Sequence, residues 1–571
     1  MKRFFIIVQL SFLGYSCSPN LDSTHPWEKV EIELHAKNVY DNPYKEVEIW
    51  VDLKGPGFEK RCYGFWDGGN IWKIRIMATD VGKWSYESGS NQDDNGLNGK
   101  KGAFIAIAWT EDEKEENPLR RGMIRADQKG HSFEYADGTP MFWLADTWWP
   151  CMTQRYYWNE DNEERKVGTS EAGFKDYIRY RKAQGYNGSM VIAAFPNWTD
   201  KSSGWGGGNW KDEDGNWAFK LNDTLPDLDK LNPNYFKNMD KKVDYLNANG
   251  FIPFIETSRR DIGEYWKENF DWPDSYARYI RYLCFRYQGN IIFNSPIHLD
   301  APALSKEVWN EAANIIVDQY DWPQFGHMAS ANPPESTYKA FGHTDEAKWL
   351  TFHGVGNWHR DHQLFTNISE MFELETPVPI VNNEPYYDGL KWGNDADLGS
   401  DLAAYYSRVA LYGSVFSGAL AGHVYGADHI WDGDNKMPEA FTIQSASHMQ
   451  HIRMFLFSEG DAYQNLNAAK QLLVTNETLN EDKNMGWAYC MRTEVKDLFM
   501  LYFEKGCQKP TLRGAISNRK YELQWFNTSI AEWVKSETLA SDKTGVIEMP
   551  NFPSGESISI TDWAVKIKLI N

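Results

Sequence analysis

Val378-Pro-Ile-Val-Asn-Asn-Glu384-Pro385-Tyr-Tyr-Asp388 is the stretch on which the reading of this chain turns. Three β-branched residues, Val378, Ile380 and Val381, lead through two asparagines to a glutamate held against a proline, so the segment reads as a strand that ends by presenting a carboxylate. A strand buried on both faces carries a near-continuous apolar run. A polar residue at its C-terminal end points into the mouth where parallel barrels place their chemistry. Glu384 is therefore the candidate catalytic centre. A plainer reading, in which it caps a loop or pairs with an arginine, competes until the flanking segments are read.

Outward from that strand, helices and strands alternate. Gly138-Thr-Pro-Met-Phe-Trp-Leu-Ala-Asp146-Thr-Trp-Trp149 reads as a first strand, Gly173 to Gln184 as a helix and Asn187 to Phe195 as a second strand. Residues 196–232 read as a long structureless loop rich in Trp, Gly, Asp and Asn. Such loops in compact domains are usually functional, and Trp198, Trp205, Trp210 and Trp217 could wall a sugar site or pack on the rim. Asn234 to Ala248 carries Phe236, Met239, Val243 and Leu246 at helical spacing and stops at Gly250, before a third strand from Phe251 to Arg259. There follow a helix over Ser275 to Tyr287, a fourth strand Asn290 to Asp300, a helix Lys306 to Gln319, a fifth strand Gly326 to Asn332 and a sixth Trp349 to Gly354. The Glu384 strand is the seventh, Asp401 to Tyr412 a helix, and Ser414 to Gly426 the eighth strand. Eight such units over roughly 310 residues predict an α/β fold, a (β/α)8 TIM barrel.

On either side the pattern becomes alternation. Val30-Glu-Ile-Glu-Leu34, Val47 to Val51, Trp72-Lys-Ile-Arg-Ile76 and Phe104 to Ala108 precede the barrel; Gln471 to Val474, Gly486 to Tyr489, Leu498 to Tyr502, Tyr521 to Trp525 and Val565 to Leu569 follow it. Half-buried strands of this kind predict a β-sandwich at each end. At the start, Lys2-Arg3, the apolar run Phe4 to Leu13 and Gly14-Tyr-Ser-Cys17 read as a lipoprotein leader, with a plain secretory signal as the alternative. The expected organisation is a leader over 1–17, an N-terminal sandwich over 18–110, a catalytic barrel over 115–460 and a C-terminal sandwich over 461–571. The expected location is the bacterial cell envelope, in the periplasm or on the outer-membrane surface. Membrane contact would come only through a lipid on Cys17, since no later segment offers ~18 uncharged apolar residues.

Composition narrows the class. The 571 residues hold 59 Lys+Arg against 80 Asp+Glu, a net charge of −21, which argues against nucleic acid and anionic membranes as partners. Aromatics make up 15%, with 26 Trp and 30 Tyr, more than a core alone recruits, and flat rigid rings stack well on sugar faces. A carbohydrate is the expected partner. The other five cysteines show no Cys-x-x-Cys spacing, and only Cys490 and Cys507 are candidate disulfide partners. His327, His353, His423 and His429 lack metal-ligand spacing, so neither a metal nor a cofactor is expected. Oligomeric state leaves no mark in the sequence.

Phe142-Trp-Leu-Ala-Asp146-Thr-Trp-Trp149, followed by Phe174-Lys-Asp-Tyr-Ile-Arg-Tyr-Arg-Lys-Ala-Gln-Gly-Tyr-Asn187, resembles the apiosidase-like bacterial glycoside hydrolases. The likeness extends through Tyr235 to Asp240, Ile291 to Asp300, Glu384-Pro385 and the Gly-rich eighth strand, about residues 115–460. Gly64-Phe-Trp-Asp-Gly-Gly69, Trp72 to Ile76 and Gly82-Lys-Trp-Ser-Tyr86 resemble the N-terminal sandwich fused to such barrels. The resemblance implies a retaining enzyme with its nucleophile on the seventh strand and its acid/base on the fourth. The chemistry agrees: an oxocarbenium-like transition state needs one carboxylate to attack and one carboxylic acid to protonate the leaving oxygen, about 5–5.5 Å apart. Glu384 matches the family nucleophile. The fourth strand departs from the pattern, with Pro296-Ile-His298-Leu-Asp300 where relatives have Gly-Gly-Asp or Gly-Gly-Glu. His298 stands at the expected position by count, but a carboxylic acid suits the leaving oxygen, which favours Asp300; a neighbouring carboxylate would raise the pKa of such an acid. His298 is then a substrate contact.

Other strand ends supply further candidates. Asp146 would bind a sugar hydroxyl or orient Arg259; Trp148, Trp149, Trp205 and Trp358 are candidate stacking rings; His353, His423 and Tyr425 would suit hydroxyl recognition; Glu256 is a reserve carboxylate. The expected function is hydrolysis of a glycosidic bond in a plant or algal polysaccharide or oligosaccharide. A non-catalytic sugar-binding protein on a degenerate barrel is the rival. A polysaccharide lyase using Arg259 and Arg260 is a third reading.

Overall fold

The computed structural model describes residues 22–194, 211–223, 225–258, 262–297, 304–333, 335–356, 362–391, 396–474 and 485–570. Its centre is a curled parallel half-barrel. The strands lie in the order Phe293–Ser295, Ile252–Ser258, Gly188–Ala194, Trp143–Thr147, Gly422–Ala427, Ile380–Glu384, His353–Gly356, each parallel to its neighbour. The short Tyr387–Asp388 strand pairs with Gly422–Ala427 just beyond the Glu384 strand. Helices Phe174–Ala183, Pro233–Ala248, Asp274–Arg286, Lys306–Tyr320, Gln363–Phe372 and Asp401–Ser417 fall between the strands.

Side-chain alternation along the strands decides which residues see the interior. Trp143, Met190, Ile192, Ile252, Phe254, Phe293, Val381 and Val424 belong to one apolar cluster on the inner side. Their outward neighbours Leu144, Val191, Ala193, Ile255, Ile380 and Tyr425 pack with helix residues such as Phe236, Ile280, Ile316 and Val409.

Three expectations about elements are corrected. The apolar run 414–417 is not strand but the end of the Asp401–Ser417 helix, which Gly418 terminates at φ +131, so the eighth strand is only Gly422–Ala427. A short apolar run fits a buried helix as well as a strand. The expected fifth strand is reduced to isolated bridges at Ala329, which lies parallel to Asn294, and at Asn332; the Ala329 carbonyl also accepts from the Thr351 and Phe352 amides. The stretch after 210 is not structureless: Phe219–Asn222 and Leu225–Leu231 form an antiparallel hairpin.

Flanking sheets pack as sandwich-like layers. At the N-terminal side a five-stranded and a three-stranded sheet enclose Ile49, Val51, Leu53, Ile74, Ile76 and Trp84; at the C-terminal side a six-stranded and a three-stranded sheet enclose Leu501, Leu523, Trp525, Ile547 and Val565. Cys490 and Cys507 are free and buried, not disulfide-bonded. Buried ions join these sheets to the central domain. Arg75 from the N-terminal side and Arg286 share Asp240 at 2.6 and 2.7 Å, and Arg286 also holds Asp67 at 2.9 Å. On the other side Arg408 grips Asp562 at 2.7 and 3.0 Å, and Glu504, fully buried, accepts from His362 at 2.9 Å and from Tyr489 at 2.8 Å. Among the described residues no helix is long and apolar enough to cross a membrane.

Candidate active site

Glu384 is the last residue of its strand and is half-buried. Oε2 accepts from Asn332 Nδ2 at 3.2 Å and Oε1 accepts from the Tyr387 hydroxyl at 3.1 Å. That hydroxyl also lies 3.3 Å from Thr147 Oγ1, which donates its own proton to the Tyr425 carbonyl at 3.1 Å. Tyr387 has one proton to give, and the charged carboxylate is the stronger acceptor. Burial, and then the charge of Glu384, pushes the Tyr387 hydroxyl far above its ordinary range, so it remains a donor.

The local fold explains why these groups meet. Gly356 pairs with Glu384 across a register shift, and a Cβ at 356 would lie 2.5 Å from the Glu384 Cβ, so only glycine lets the strands approach there. Gly426 pairs with Tyr387, and a side chain at 426 would run into the tyrosine ring. Asn383 Nδ2 donates to the Ala331 carbonyl at 2.8 Å, which fixes the backbone beside Asn332 to the Glu384 strand.

Strand parity sorts the remaining candidates. Thr147 shares the inward side of its strand with Trp143 and Ala145, whereas Asp146 points outward with Leu144. Asp146 is fully buried and bonds Arg181 of the first described central helix at 2.6 Å. It faces the helix layer and not the mouth, which corrects the hydroxyl-binding role expected of it. Trp148 is also fully buried, among Tyr156, Phe251 and Phe441, and is a core residue rather than a stacking ring. Trp149 is 7% exposed and belongs to the inner cluster, leaving no open face for a sugar.

His353 is structural: Nδ1 meets Thr337 Oγ1 at 2.8 Å and Nε2 meets His343 Nδ1 at 3.2 Å, and burial pushes its pKa down to about 3. His423 lies on the outward side of its strand, and burial likewise lowers it to about 3. Tyr425 bonds Ser445 at 2.8 Å, and Ser445 donates to the buried Asp388 at 2.5 Å, so it too serves the helix layer rather than the mouth. Glu256 is fully buried on the inward side, in register with Ile192 and Ser295. Asp300, His298, Arg259, Arg260, Trp358, Trp198, Trp205 and Trp210 lie outside the described residues. Trp217, from the same expected wall, carries the Lys211 ammonium 4.7 Å above its ring. No group of His, Cys, Asp or Glu with metal-holding geometry occurs among the described residues.

The structure therefore gathers Glu384, Asn332, Tyr387 and Thr147 into one mouth. The last three were in quoted strand ends but carried no sequence signal of a role. Only parity could have preferred Thr147 to Asp146.

Comparison with known proteins agrees with this architecture. A crystal structure from Bacteroides vulgatus, named as a candidate glycoside hydrolase, is similar at TM-score 0.64 and 16% identity over 96% of this chain and 100% of that one. A second, named as a glycoside hydrolase family 5 member from the same organism, is similar at 0.59 and 16% over 79% and 95%, and a third, named only as a glycoside hydrolase, at 0.58 and 19% over 79% and 98%. At these identities the likeness is one of fold. No curated protein matches the chain. The family of a domain of unknown function (DUF5060) matches residues 23–91. Residues 127–461, more than half of the chain, match the catalytic-domain model of the apiosidase-like proteins, and the chain belongs to that glycoside-hydrolase-like family.

Proposed function

We propose that this protein is a retaining glycosidase acting on plant or algal oligosaccharides or polysaccharides, with Glu384 as nucleophile and Asp300 as general acid/base. The observation that carries the reading is the placement of Glu384. It ends a strand of the parallel sheet, where a register shift pairs it with Gly356, is half-buried, and accepts hydrogen bonds from Asn332 and Tyr387 on its two carboxylate oxygens. Such a group is held in one geometry, as attack on an anomeric carbon requires. The half-barrel is taken to close as a (β/α)8 barrel through residues 326–332, where Met328 and Ser330 bond Asn294 on one edge strand and the Ala329 carbonyl accepts from Thr351 and Phe352, just ahead of the other. The proposed organisation keeps a leader over 1–17, sandwiches over 18–110 and 461–571 and a catalytic barrel over 115–460, with the protein anchored in the cell envelope by a lipid on Cys17.

The test is hydrolysis of a panel of plant and algal oligosaccharides by wild type and Glu384→Gln, followed by reducing-end release and by the anomer first formed. The expected result is release by wild type with retained configuration and a loss of at least about 10³-fold in the variant. An inverted product would remove the nucleophile role. One feature favours a second reading, a sugar-binding protein: the fourth strand is only Phe293–Ser295 and has no carboxylate up to residue 297. Binding without cleavage by both proteins would select it.

A further inference from the structure

The polar atoms around Glu384 are not all used. Asn332 is 1% exposed, and its Oδ1 has no hydrogen-bond partner, which is rare for a buried polar atom. Its Nδ2 donates to Glu384 Oε2. The orientation of this amide follows from chemistry: an ionised carboxylate only accepts, so the NH₂ must face Glu384 and the carbonyl oxygen must be the unsatisfied end. Both ends belong to one small planar group, so Oδ1 sits at the edge of the carboxylate. Asn383 holds the backbone at Ala331 in place and shows the same pattern, with Nδ2 bonded and Oδ1 unpartnered. The Asn332 acceptor beside the carboxylate therefore awaits a donor, and a sugar offers hydroxyl protons.

We propose that Asn332 is a substrate-contacting residue: Nδ2 orients Glu384 while Oδ1 accepts a hydrogen bond from the 2-hydroxyl of the sugar whose anomeric carbon Glu384 attacks. This rests on the reading of Glu384 as nucleophile. A carboxylate that reaches the anomeric carbon lies beside the hydroxyl on the next carbon, and bonds to that hydroxyl strengthen as the oxocarbenium-like state forms. An acceptor fixed to the nucleophile itself meets that hydroxyl in a set geometry. The preferred substrate class is then glycosides with an unsubstituted 2-hydroxyl; 2-deoxy and 2-O-methyl sugars leave Oδ1 buried and unpaired.

The experiment compares wild type with Asn332→Leu and Asn332→Ser on matched 4-nitrophenyl glycosides, one series with the 2-hydroxyl and one 2-deoxy. Thermal melts identify the variant that keeps the fold. Loss of the Nδ2 contact slows both series, whereas loss of Oδ1 slows only the hydroxylated one. The expected result is a fall in kcat/KM at least about tenfold larger on the hydroxylated series. An equal fall on both would make Asn332 a positioning residue only and overturn the proposal. Absence of turnover by wild type would mark failure of the hydrolase reading instead. Calorimetric binding of the same two series then carries the test, and a variant that binds the hydroxylated sugar as wild type does would overturn it.

Discussion

Tyr387 shows how a site is finished by a residue that no pattern singled out. Its hydroxyl is the donor to Glu384 Oε1, and the removal of one oriented donor from a reacting charge typically slows chemistry far more than binding. Tyr387→Phe should lower kcat by on the order of tenfold or more, with KM and the melting temperature little changed; steady-state kinetics on the best substrate of the panel would measure it. A comparable rise in KM with unchanged kcat would mean that Tyr387 serves ground-state binding. Glu384 was legible because a strand ended in a carboxylate against a proline. Tyr387 was not, because its role depends on how the chain, continuing past Pro385 in the same direction, lays residues 387–388 along the neighbouring 422–427 strand. Asn332 was hidden for a similar reason: its segment makes isolated bridges rather than a strand.

Among the elements, the first strand carries the clearest lesson. Asp146 and Thr147 are adjacent, and a period of two sends one to the helices and the other to the mouth. The sequence Trp143-Leu-Ala-Asp-Thr147 is apolar on both faces, so it offers no alternation from which to read direction. Arg181, at hydrogen-bonding distance of Asp146, decides it. Asp146→Ala should leave that guanidinium buried without its carboxylate and cost about 3–5 kcal/mol, seen as a lower denaturant midpoint, while a sugar contact would instead have shown as raised KM. The helices at 174–183, 233–248, 274–286 and 306–320 were legible almost to the residue because their apolar positions recur at helical spacing, whereas Ile262–Asn269 was missed. The eighth strand was misplaced because Val415 and Phe416 are buried whichever element they belong to.

For the whole molecule, pH tests how its interior is built. His327 and His448 are pushed by burial down to about 4, and His353 and His423 to about 3, against an ordinary value of 6.5. Below pH 6.5 the unfolded chain takes up protons that the native state refuses, so native stability falls with pH from about 6.5 until the folded values are reached. His423 alone accounts for on the order of 3 kcal/mol by pH 4. Denaturant unfolding at pH 7 and pH 4.5 should show this loss, and His423→Leu should reduce it by one proton's worth; an identical pH slope would exclude His423 as a source. The flanking sheets were legible from alternation, yet nothing in the sequence announced the ions that join them to the centre. Asp240 is 165 positions from Arg75, and Asp67 is 219 from Arg286. A ribosome adds roughly 5–20 residues per second, so the first sheets wait on the order of ten to forty seconds for partners not yet made. The first sheets thus keep these charges in water until the central helices that carry Asp240 and Arg286 arrive.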